Sequence, residues 1–329
     1  MTAAFCVLAA LCSAGTAAPL RVLSWNVHWQ CGSDYLPGCR AAAAQRYADL
    51  ARRFGGGGGD GGSSSTAAAA DVVVAIELEA SSDTPVNLPR QDPAGFFGSG
   101  WSQVNGSCPG AQAGATGDAV AMLFGPGYRV LRGGGGCLGG DAGGGYRPDA
   151  RAFAVALVQP PAAVRGCPGG LCVVGLHAPH VNVTQGAATV EAVCGARAAG
   201  RAGCTVAAGD FNAPVRAQGF CNYTAADRWV QLLGGAKAGL RLVGGPDELS
   251  CCFPNTKYFG WDDHVLTDVP GAAVVSARVL PYQMARAFSN DTEEHMPILV
   301  ELELPVTAAA QAAGGAAAAT AAAGGAGEP

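Results

Sequence analysis

Charged residues are scarce in this sequence: Asp, Glu, Lys and Arg make up only 14% of its 329 residues, against about a quarter in an average protein. Lysine is almost missing, since only two of the 20 basic residues, Lys237 and Lys257, are lysines. The formal net charge is −5, and no dense basic cluster occurs. A strongly basic nucleic-acid binder of the histone kind is therefore excluded, and any contact with nucleic acid has to come from a local site.

Three further patterns are missing. After the N-terminal segment, no run of about 18 or more uninterrupted apolar residues occurs, which excludes a polytopic membrane protein. No segment repeats with a period of about 20 to 50 residues, so the chain is not a solenoid. None of the 13 cysteines forms a Cys-x-x-Cys pair, which argues against a zinc ribbon or a thioredoxin-type site.

The two ends of the chain differ from the middle in composition. Residues 3–18 are apolar and end in small residues, which predicts a signal peptide over residues 1–18, although no Lys or Arg precedes it. The alternative is a frayed or buried N-terminal segment. Residues 306–329 are almost all Ala and Gly, and we expect a disordered tail because they cannot bury enough area to offset their ordering entropy. One domain over residues 19–305 remains, which is ample for a core.

Cysteines and glycosylation sequons indicate the compartment. The leader holds Cys6 and Cys12, which leaves eleven cysteines, and with a leader present these favour disulfides in a secreted protein. Connectivity cannot be read from the sequence, although Cys167 and Cys172 flank a Pro-Gly-Gly turn and could close a short hairpin. Four Asn-x-Ser/Thr sequons add the expectation of a secreted glycoprotein. They begin at Asn105, Asn182, Asn222 and Asn290.

Short apolar runs alternate with helical patterns, which predicts a layered α/β fold with two sheets. Helices are predicted at Ala41–Phe54 and near Ala187–Ala199, and the glycines from Gly133 to Gly145 are interpreted as a loop. The predicted strands are Leu20–Val27, Asp71–Leu78, Ala119–Phe124, Ala152–Gln159, Leu171–His177, Cys204–Ala208, Asp263–Leu266, Ala273–Leu280 and Pro297–Leu304.

Polar side chains stand where the predicted strands end, each in a different segment. Side chains at such ends project toward the loop face of a sheet, where sites are usually built. Carboxylate and amide oxygens suit a hard divalent cation such as Mg²⁺, Mn²⁺ or Ca²⁺, and imidazoles suit acid–base catalysis. The residues are Asn26, Glu77, His177, Asp210, Asn212, Asp263, Glu294 and His295.

Each of these residues also has a plainer interpretation. Asp210 and Asn212 are compatible with an ordinary Asx turn, and Asn26 with a cap after its strand. His177 and His180 resemble a transition-metal pair, but no third soft ligand is near. The polar neighbours without an expected role are His28, Asp262 and His264.

Six short blocks follow one another in the order of a known family. They are SWNV, DVVVAIE, GLHAP, GDFN, DDHVL and EHMP, and they span the chain from Leu20 to Leu304. In this order they resemble the endonuclease/exonuclease/phosphatase superfamily, which includes deoxyribonuclease I, abasic-site endonucleases, neutral sphingomyelinases and inositol polyphosphate phosphatases. The resemblance implies a four-layer α/β/β/α sandwich of two packed mixed β-sheets flanked by helices. It also implies hydrolysis of a phosphoester bond with Mg²⁺, or Mn²⁺ or Ca²⁺, as the cofactor.

The resemblance assigns the metal to Asn26 and Glu77, with Glu294 as a further ligand. Three positions depart from the family pattern. Glu294 stands where Asp is usual, and its extra methylene moves the carboxylate by about 1.5 Å. Ile76 stands where Gln commonly precedes the first glutamate, and His28 where abasic-site enzymes carry Asp. The abasic-site branch is therefore disfavoured and a one-metal site is favoured.

The resemblance also assigns the catalytic roles. Asp210 would orient or deprotonate the attacking water, and Asn212 would bind a phosphate oxygen. His295, oriented by Asp263, would be the other half of the base dyad.

His177 would contact the scissile phosphate or protonate the leaving group, as in the deoxyribonuclease I branch. In that branch a carboxylate orients this histidine, and Asp118 is the residue here that fits. Arg151 opens the following strand and is compatible either with a phosphate contact or with an ordinary surface position.

Three functional hypotheses follow. The leading one is a secreted, monomeric phosphodiesterase or nuclease that acts on DNA, with no stable protein partner and no transmembrane segment. The second is a lipid or small-molecule phosphatase of the sphingomyelinase or inositol-phosphatase kind, because no long basic stripe is present to hold a duplex. The third is a binding module that kept the fold and lost activity, suggested by Glu294 and Ile76.

Overall fold

The structure is a computed structural model of the chain. It describes residues 18–26, 70–79, 97, 99–108, 118–139, 150–161, 167, 169–179, 186–195, 204–214, 224–233, 241–244, 262–280, 295 and 297–304. The predicted helix Ala41–Phe54, the tail 306–329 and the leader up to residue 17 lie outside the described residues.

Twelve strands and two helices make up the described parts of the chain. The strands are β1 (Leu20–Asn26), β2 (Val72–Glu79), β3 (Ser102–Cys108), β4 (Asp118–Phe124), β5 (Arg129–Leu138), β6 (Arg151–Gln159), β7 (Leu171–His177), β8 (Thr205–Asp210), β9 (Arg241–Gly244), β10 (Asp263–Thr267), β11 (Ala273–Val279) and β12 (Ile298–Glu303). The helices are α1 (Ala187–Cys194) and α2 (Ala225–Leu233).

The strands form two six-stranded mixed sheets. The first has the order β11-β12-β1-β2-β4-β3, and the second has the order β5-β6-β7-β8-β10-β9. One parallel pair lies at the centre of each sheet, β1 with β2 and β7 with β8, and the other pairs are antiparallel. The prediction of two mixed sheets is confirmed.

The largest part of the core lies between the two sheets. Val74, Met122 and Ala154 belong to this inter-sheet cluster. A second cluster holds Val190 of α1 and Trp229 of α2 against the other face of the second sheet. Because central strands are covered on both faces, they are apolar without alternation, as in the segment from residue 71 to residue 77. No helix among the described residues is long and apolar enough to cross a membrane.

The prediction of a loop from Gly133 to Gly145 is wrong for its first part, because Gly133–Gly136 lie inside β5 and pair with β6. Facing sheets usually stand about 10 Å apart, with side chains between them. Here β3 lies directly on β5 and β6: a Cβ on Gly106 would be 1.7 Å from the carbonyl oxygen of Phe153, and one on Gly135 would be 2.6 Å from the Cα of Gly106. These glycines therefore allow a close approach of two backbones rather than a turn.

Three disulfides occur among the described residues: Cys108–Cys137, Cys167–Cys204 and Cys172–Cys194. The pairing of Cys167 with Cys172 is therefore wrong. Cys167 lies with Cys204 in the inter-sheet cluster, whereas Cys172 lies with Cys194 in the helix-covered cluster on the other face of the second sheet. Cys167 and Cys172 are close in the sequence but lie on opposite faces of the second sheet.

Some elements differ from expectation or were not expected. The predicted helix near Ala187–Ala199 ends at Cys194, where Gly195 takes a φ of 57°. Strands β3, β5 and β9 and helix α2 were not predicted. The one described sequon, at Asn105, lies in β3, where its Oδ1 accepts a hydrogen bond from Gln103.

Candidate active site

Central strands of both sheets end at the same place, and their terminal polar residues meet there. His177 closes β7 and is the register partner of Asp210, which closes β8. Asp263 opens β10 and is the partner of Asp210 on its other side. Asn26 closes β1 in the facing sheet. All four side chains are almost completely buried, so an arrangement this polar must be satisfied from within.

Glu77 reaches the site through an irregularity of β2. Regular alternation would place it with Val73 and Ala75 on the outer face of the first sheet. A register shift between Ala75 and Leu78 and a φ of 54° at Glu77 bring its Oε1 within 3.2 Å of Nε2 of His177. A left-handed conformation at a residue with a side chain costs on the order of 1 kcal/mol or more. This strained conformation directs the carboxylate of Glu77 into the site.

Asp210 is the hub of the site. Its Oδ2 accepts a hydrogen bond of 2.9 Å from Nδ2 of Asn26, and its Oδ1 accepts one of 2.8 Å from the backbone N–H of Asn212. The Nε2 atoms of His177 and His295 lie 3.8 and 3.9 Å from Oδ2. Burial raises the pKa of Asp210, but the two imidazoles outweigh it, and the net pKa is lowered. Asp210 is therefore a carboxylate at neutral pH.

His295 is held by a carboxylate and by a backbone contact. Its Nδ1 lies 2.8 Å from Oδ2 of Asp263, and its carbonyl oxygen accepts a hydrogen bond of 3.2 Å from the indole of Trp25. Burial lowers the pKa of His295, but Asp263 above all, with Asp210 and Glu77, raises it to about 10. Nε2 of His295 lies on the side of Asp210, 3.9 Å from its Oδ2.

His177 lies between two carboxylates. Nδ1 is 3.1 Å from Oδ2 of Asp118, and Nε2 is 3.2 Å from Oε1 of Glu77. A carboxylate only accepts, so Nδ1 donates to Asp118, and Nε2 makes an ion pair with Glu77 when the ring is protonated. Burial opposes this charge, but Asp118 and Glu77 outweigh it and the pKa of His177 is raised. The same Oδ2 of Asp118 also accepts the backbone N–H of Ala152 at 2.7 Å.

Asn212 follows the end of β8 with a φ of 44°, a conformation that Asn tolerates better than most residues. Its Nδ2 donates to the carbonyl oxygen of Ala178 at 2.7 Å. An amide nitrogen carries two N–H groups, and one of them is engaged in orienting the side chain. The other is the group that suits an anionic oxygen.

The donor set fits a hard divalent cation. Two groups of ligand atoms, one from Glu77, His177 and Asp210 and one from Asp210, Asp263 and His295, each lie within 4.8 Å of one another. Carboxylate oxygens of Glu77 and Asp210, with the amide oxygen of Asn26, are the ligand type that Mg²⁺, Mn²⁺ and Ca²⁺ prefer. Predicted ligand Glu294 lies outside the described residues.

Some polar residues near the motifs are used elsewhere. His264 donates a hydrogen bond through Nε2 to the carbonyl oxygen of Ala213, 2.8 Å away, and its ring packs on Phe211 with the ring centroids 5.7 Å apart. The carbonyl oxygen of Asp262 accepts the N–H of Phe211. Ile76, where the family carries Gln, belongs to the inter-sheet cluster. His28 and His180 lie outside the described residues.

Two features of the site were not predicted. The irregularity at Glu77 has no sequence signal, because Ile, Glu and Leu continue the strand pattern without Gly or Pro. The contact of Trp25 with the carbonyl oxygen of His295 joins residues that are 270 positions apart. It could not be predicted because a tryptophan in an apolar strand is typical of a core residue.

The raised pKa of His295 predicts how the metal-free protein responds to pH. The pKa is about 10 in the folded protein, against 6.5 ordinarily. The pair with Asp263 therefore contributes its full stability below the ordinary value and loses it as the pH rises toward the folded one. In EDTA, the loss of this interaction is expected to lower the free energy of unfolding by up to about 1.4 kcal/mol for each unit by which the pH rises across that window. Urea titrations of the wild type and of Asp263→Asn measure the difference; equal pH slopes in both proteins would contradict the expectation.

No protein-family model and no curated protein matches the sequence. Solved structures do match. An endonuclease/exonuclease/phosphatase family protein from Leptotrichia buccalis C-1013-b aligns with a TM-score of 0.52 and 12% identity, covering 86% of this chain and 99% of that one. ANGEL2, a 2',3'-cyclic phosphatase in complex with adenosine-2',3'-vanadate, aligns with a TM-score of 0.51 and 14% identity over 87% and 96% of the two chains. A second ANGEL2 structure gives a TM-score of 0.51 and 15% identity over 87% and 95%. The chain thus has the layered α/β sandwich fold of the endonuclease/exonuclease/phosphatase proteins, as the sequence predicted.

Proposed function

We propose that this chain is a member of the endonuclease/exonuclease/phosphatase superfamily and hydrolyses phosphoester bonds with the help of a divalent cation. One observation carries the proposal: two imidazoles, each held by its own carboxylate, converge on the same oxygen of Asp210. His177 and His295 approach this oxygen to 3.8 and 3.9 Å. A buried carboxylate between two oriented imidazoles is suited to acid–base catalysis, whereas a purely structural role would not require both imidazoles.

Asn26 and Glu77 would hold the cation, with Glu294 as the further ligand that the sequence suggests. When bound, a divalent cation neutralises charge on the phosphate and polarises the ester. Asp210 is already a carboxylate; it would orient the attacking water and accept its proton, with the raised-pKa imidazole of His295 beside it as the charge partner. Asp263 holds the tautomer of His295 in which Nε2 faces Asp210.

A phosphodiester is the substrate class that His177 supports. Cleavage of a diester leaves an alkoxide, which must receive a proton as the bond breaks. Asp118 and Glu77 raise the pKa of His177, which favours its protonated form, and in that form it can supply the proton. Asn212 donates an N–H to charge that develops on the phosphate. ANGEL2 is described as a 2',3'-cyclic phosphatase, and a cyclic phosphate is itself a diester, so this neighbour agrees with the class.

DNA is the diester to test first, and small or lipid phosphodiesters are the second candidate. The second candidate is favoured by charge, because only 20 of 329 residues are Lys or Arg and duplex DNA is normally held by many basic contacts. Three disulfides among the described residues support the further proposal that the protein is secreted.

A substrate panel with His295→Gln tests the proposal. Wild-type protein with Mg²⁺, Mn²⁺ or Ca²⁺ is incubated with DNA, RNA, a nucleoside 2',3'-cyclic phosphate, sphingomyelin and inositol phosphates. We expect turnover of at least one phosphodiester, and a fall in its kcat of at least about 100-fold in His295→Gln, which removes half of the base pair.

His264→Gln is the matched control, since this buried imidazole lies beside Asp263 in β10 but is bonded to Ala213. We expect its kcat to stay near that of the wild type. A wild type without turnover on the whole panel would overturn the proposal, and His295→Gln with full kcat would overturn the role of the base pair.

A further inference from the structure

We propose that the Cys108–Cys137 disulfide positions the imidazole of His177 by fixing Asp118 between the two sheets. This inference rests on the proposed function for its effect on turnover, but it concerns contacts of the chain itself. The disulfide links β3, at one edge of the first sheet, to β5, at one edge of the second. Asp118 opens β4, beside β3, and its carboxylate reaches across to both β6 and His177.

Four residues close a ring across the sheets. Cys108 is the register partner of Asp118 in the first sheet, and Cys137 is the register partner of Ala152 in the second. The disulfide joins one side of this ring, with a Cα–Cα distance of 4.8 Å. The hydrogen bond of 2.7 Å from the N–H of Ala152 to Oδ2 of Asp118 joins the other side. The disulfide between β3 and β5 and the hydrogen bond between β4 and β6 therefore both fix the distance between the two sheets, at neighbouring pairs of strands.

The position of Asp118 depends on that spacing more than on its own side-chain contacts. Both of its described hydrogen bonds use Oδ2, and Oδ1 is buried with no hydrogen-bond partner among the residues that the structure describes. A carboxylate held through one oxygen can rotate or withdraw when the opposing strand moves. Since Oδ2 bonds His177 at 3.1 Å, a shift of the edge strands passes directly to the imidazole.

Close to the disulfide, the two edge strands are in direct backbone contact. Gly106 and Gly135 meet here backbone to backbone, without side chains that interlock. Strands β3 and β5 each have a hydrogen-bonded neighbour on one side only in the two described sheets. A disulfide at the site end of this contact supplies the constraint that interlocking side chains supply elsewhere in the core.

Cys172–Cys194 offers a matched control. It joins β7 to α1 across the outer face of the second sheet and closes a loop of similar length, with a sequence separation of 22 against 29. Both disulfides should therefore stabilise the fold to a similar extent. Cys172 lies near the start of the strand that His177 ends, about 16 Å away along the strand at the usual rise per residue.

Four proteins are compared at a temperature well below their melting points: wild type, Cys108→Ser/Cys137→Ser, Cys172→Ser/Cys194→Ser, and Asp118→Asn. Both disulfide variants are expected to lose thermal stability. Only Cys108→Ser/Cys137→Ser is expected to lose kcat, by about ten- to a hundredfold with little change in KM, because a displaced proton donor costs rate rather than binding. In the Asp118→Asn background the same cysteine changes are expected to alter kcat by less than about twofold, since the two changes act through one contact.

A second readout does not depend on turnover. In the proton NMR spectrum, the Nδ1–H of His177, assigned by its absence in His177→Gln, should give a hydrogen-bonded signal in the wild type and in Cys172→Ser/Cys194→Ser. We expect this signal to be lost or broadened in Cys108→Ser/Cys137→Ser. If that variant does not fold, Cys108→Ala/Cys137→Val fills the volume without the bond and is measured in its place.

Equal losses of kcat in both disulfide variants, additive losses with Asp118→Asn, or an unchanged His177 signal would each overturn the positioning role. A wild type that turns over no substrate but loses the His177 signal on removal of Cys108–Cys137 would overturn the proposed function and leave the positioning role supported.

Discussion

Replacing Asp210 by Asn is expected to lower kcat by at least about three orders of magnitude while the protein stays folded. Loss of a group that serves as base and as charge partner at once removes more than a single hydrogen bond. The amide is nearly the same size and can still accept the N–H of Asn212 through its oxygen. It carries no charge, however, so it neither accepts a proton from water nor complements His177 and His295.

Asp268→Asn is the matched control for this variant. Asp268 is also buried, and its Oδ1 also accepts a backbone N–H, that of Thr205, at 2.7 Å. It follows the opposite end of the same β8–β10 pair. We expect Asp268→Asn to lower the melting temperature and to leave kcat in the folded protein unchanged. Similar kcat values for the two variants would show that Asp210 contributes only to the fold.

Removal of divalent cations is expected to abolish turnover, and excess Mg²⁺ or Mn²⁺ is expected to restore it. The reason lies in the charge of the site, where the carboxylates of Glu77 and Asp210 would meet the negative phosphate of the proposed substrate. Without a cation these charges repel one another, and the ester is not polarised. Activity after treatment with EDTA, followed by titration with each cation, measures the effect. Activity that survives exhaustive chelation would contradict it.

Thermal shift separates metal binding from turnover. A cation that binds only the folded protein stabilises it in proportion to the logarithm of its concentration. We expect millimolar Mg²⁺ or Mn²⁺ to raise the melting temperature of the wild type and to have little effect on Glu77→Gln, in which the proposed carboxylate ligand becomes an amide. Glu301→Gln, on β12 with a half-buried carboxylate near Arg21, should retain the shift. A shift of equal size in wild type and Glu77→Gln would place the cation elsewhere.

The sequence was sufficient for much of the architecture. Central strands of a two-sheet sandwich are apolar on both faces, so segments such as Leu171–His177 were predicted with their observed bounds. Polar residues that close such segments have few places to go, which is why His177 and Asp210 could be expected to meet. The resemblance of the ordered motifs to the family then predicted that the two sheets pack against each other.

Other features could not be predicted, because they depend on contacts between distant segments. Glycine normally signals a turn, and only the approach of Gly106 to the backbone of Phe153 explains why Gly133–Gly136 form a strand. The face on which Cys172 lies depends on the register of β7 with its neighbours, and short separation in sequence was misleading. Glu77 departs from the strand alternation where it contacts His177, which belongs to a distant segment of the chain.

The order of strands in the first sheet has a consequence for biosynthesis. β1, the first described strand, lies between β2 and β12, and its Leu20 is the partner of Leu302. Synthesis must therefore reach β12 before β1 can pair on both sides, and until then one edge of this apolar strand stays unpaired. Assembly of the Asn26 end of the candidate site therefore depends on pairing between segments that are far apart in the sequence, which is slow for that reason.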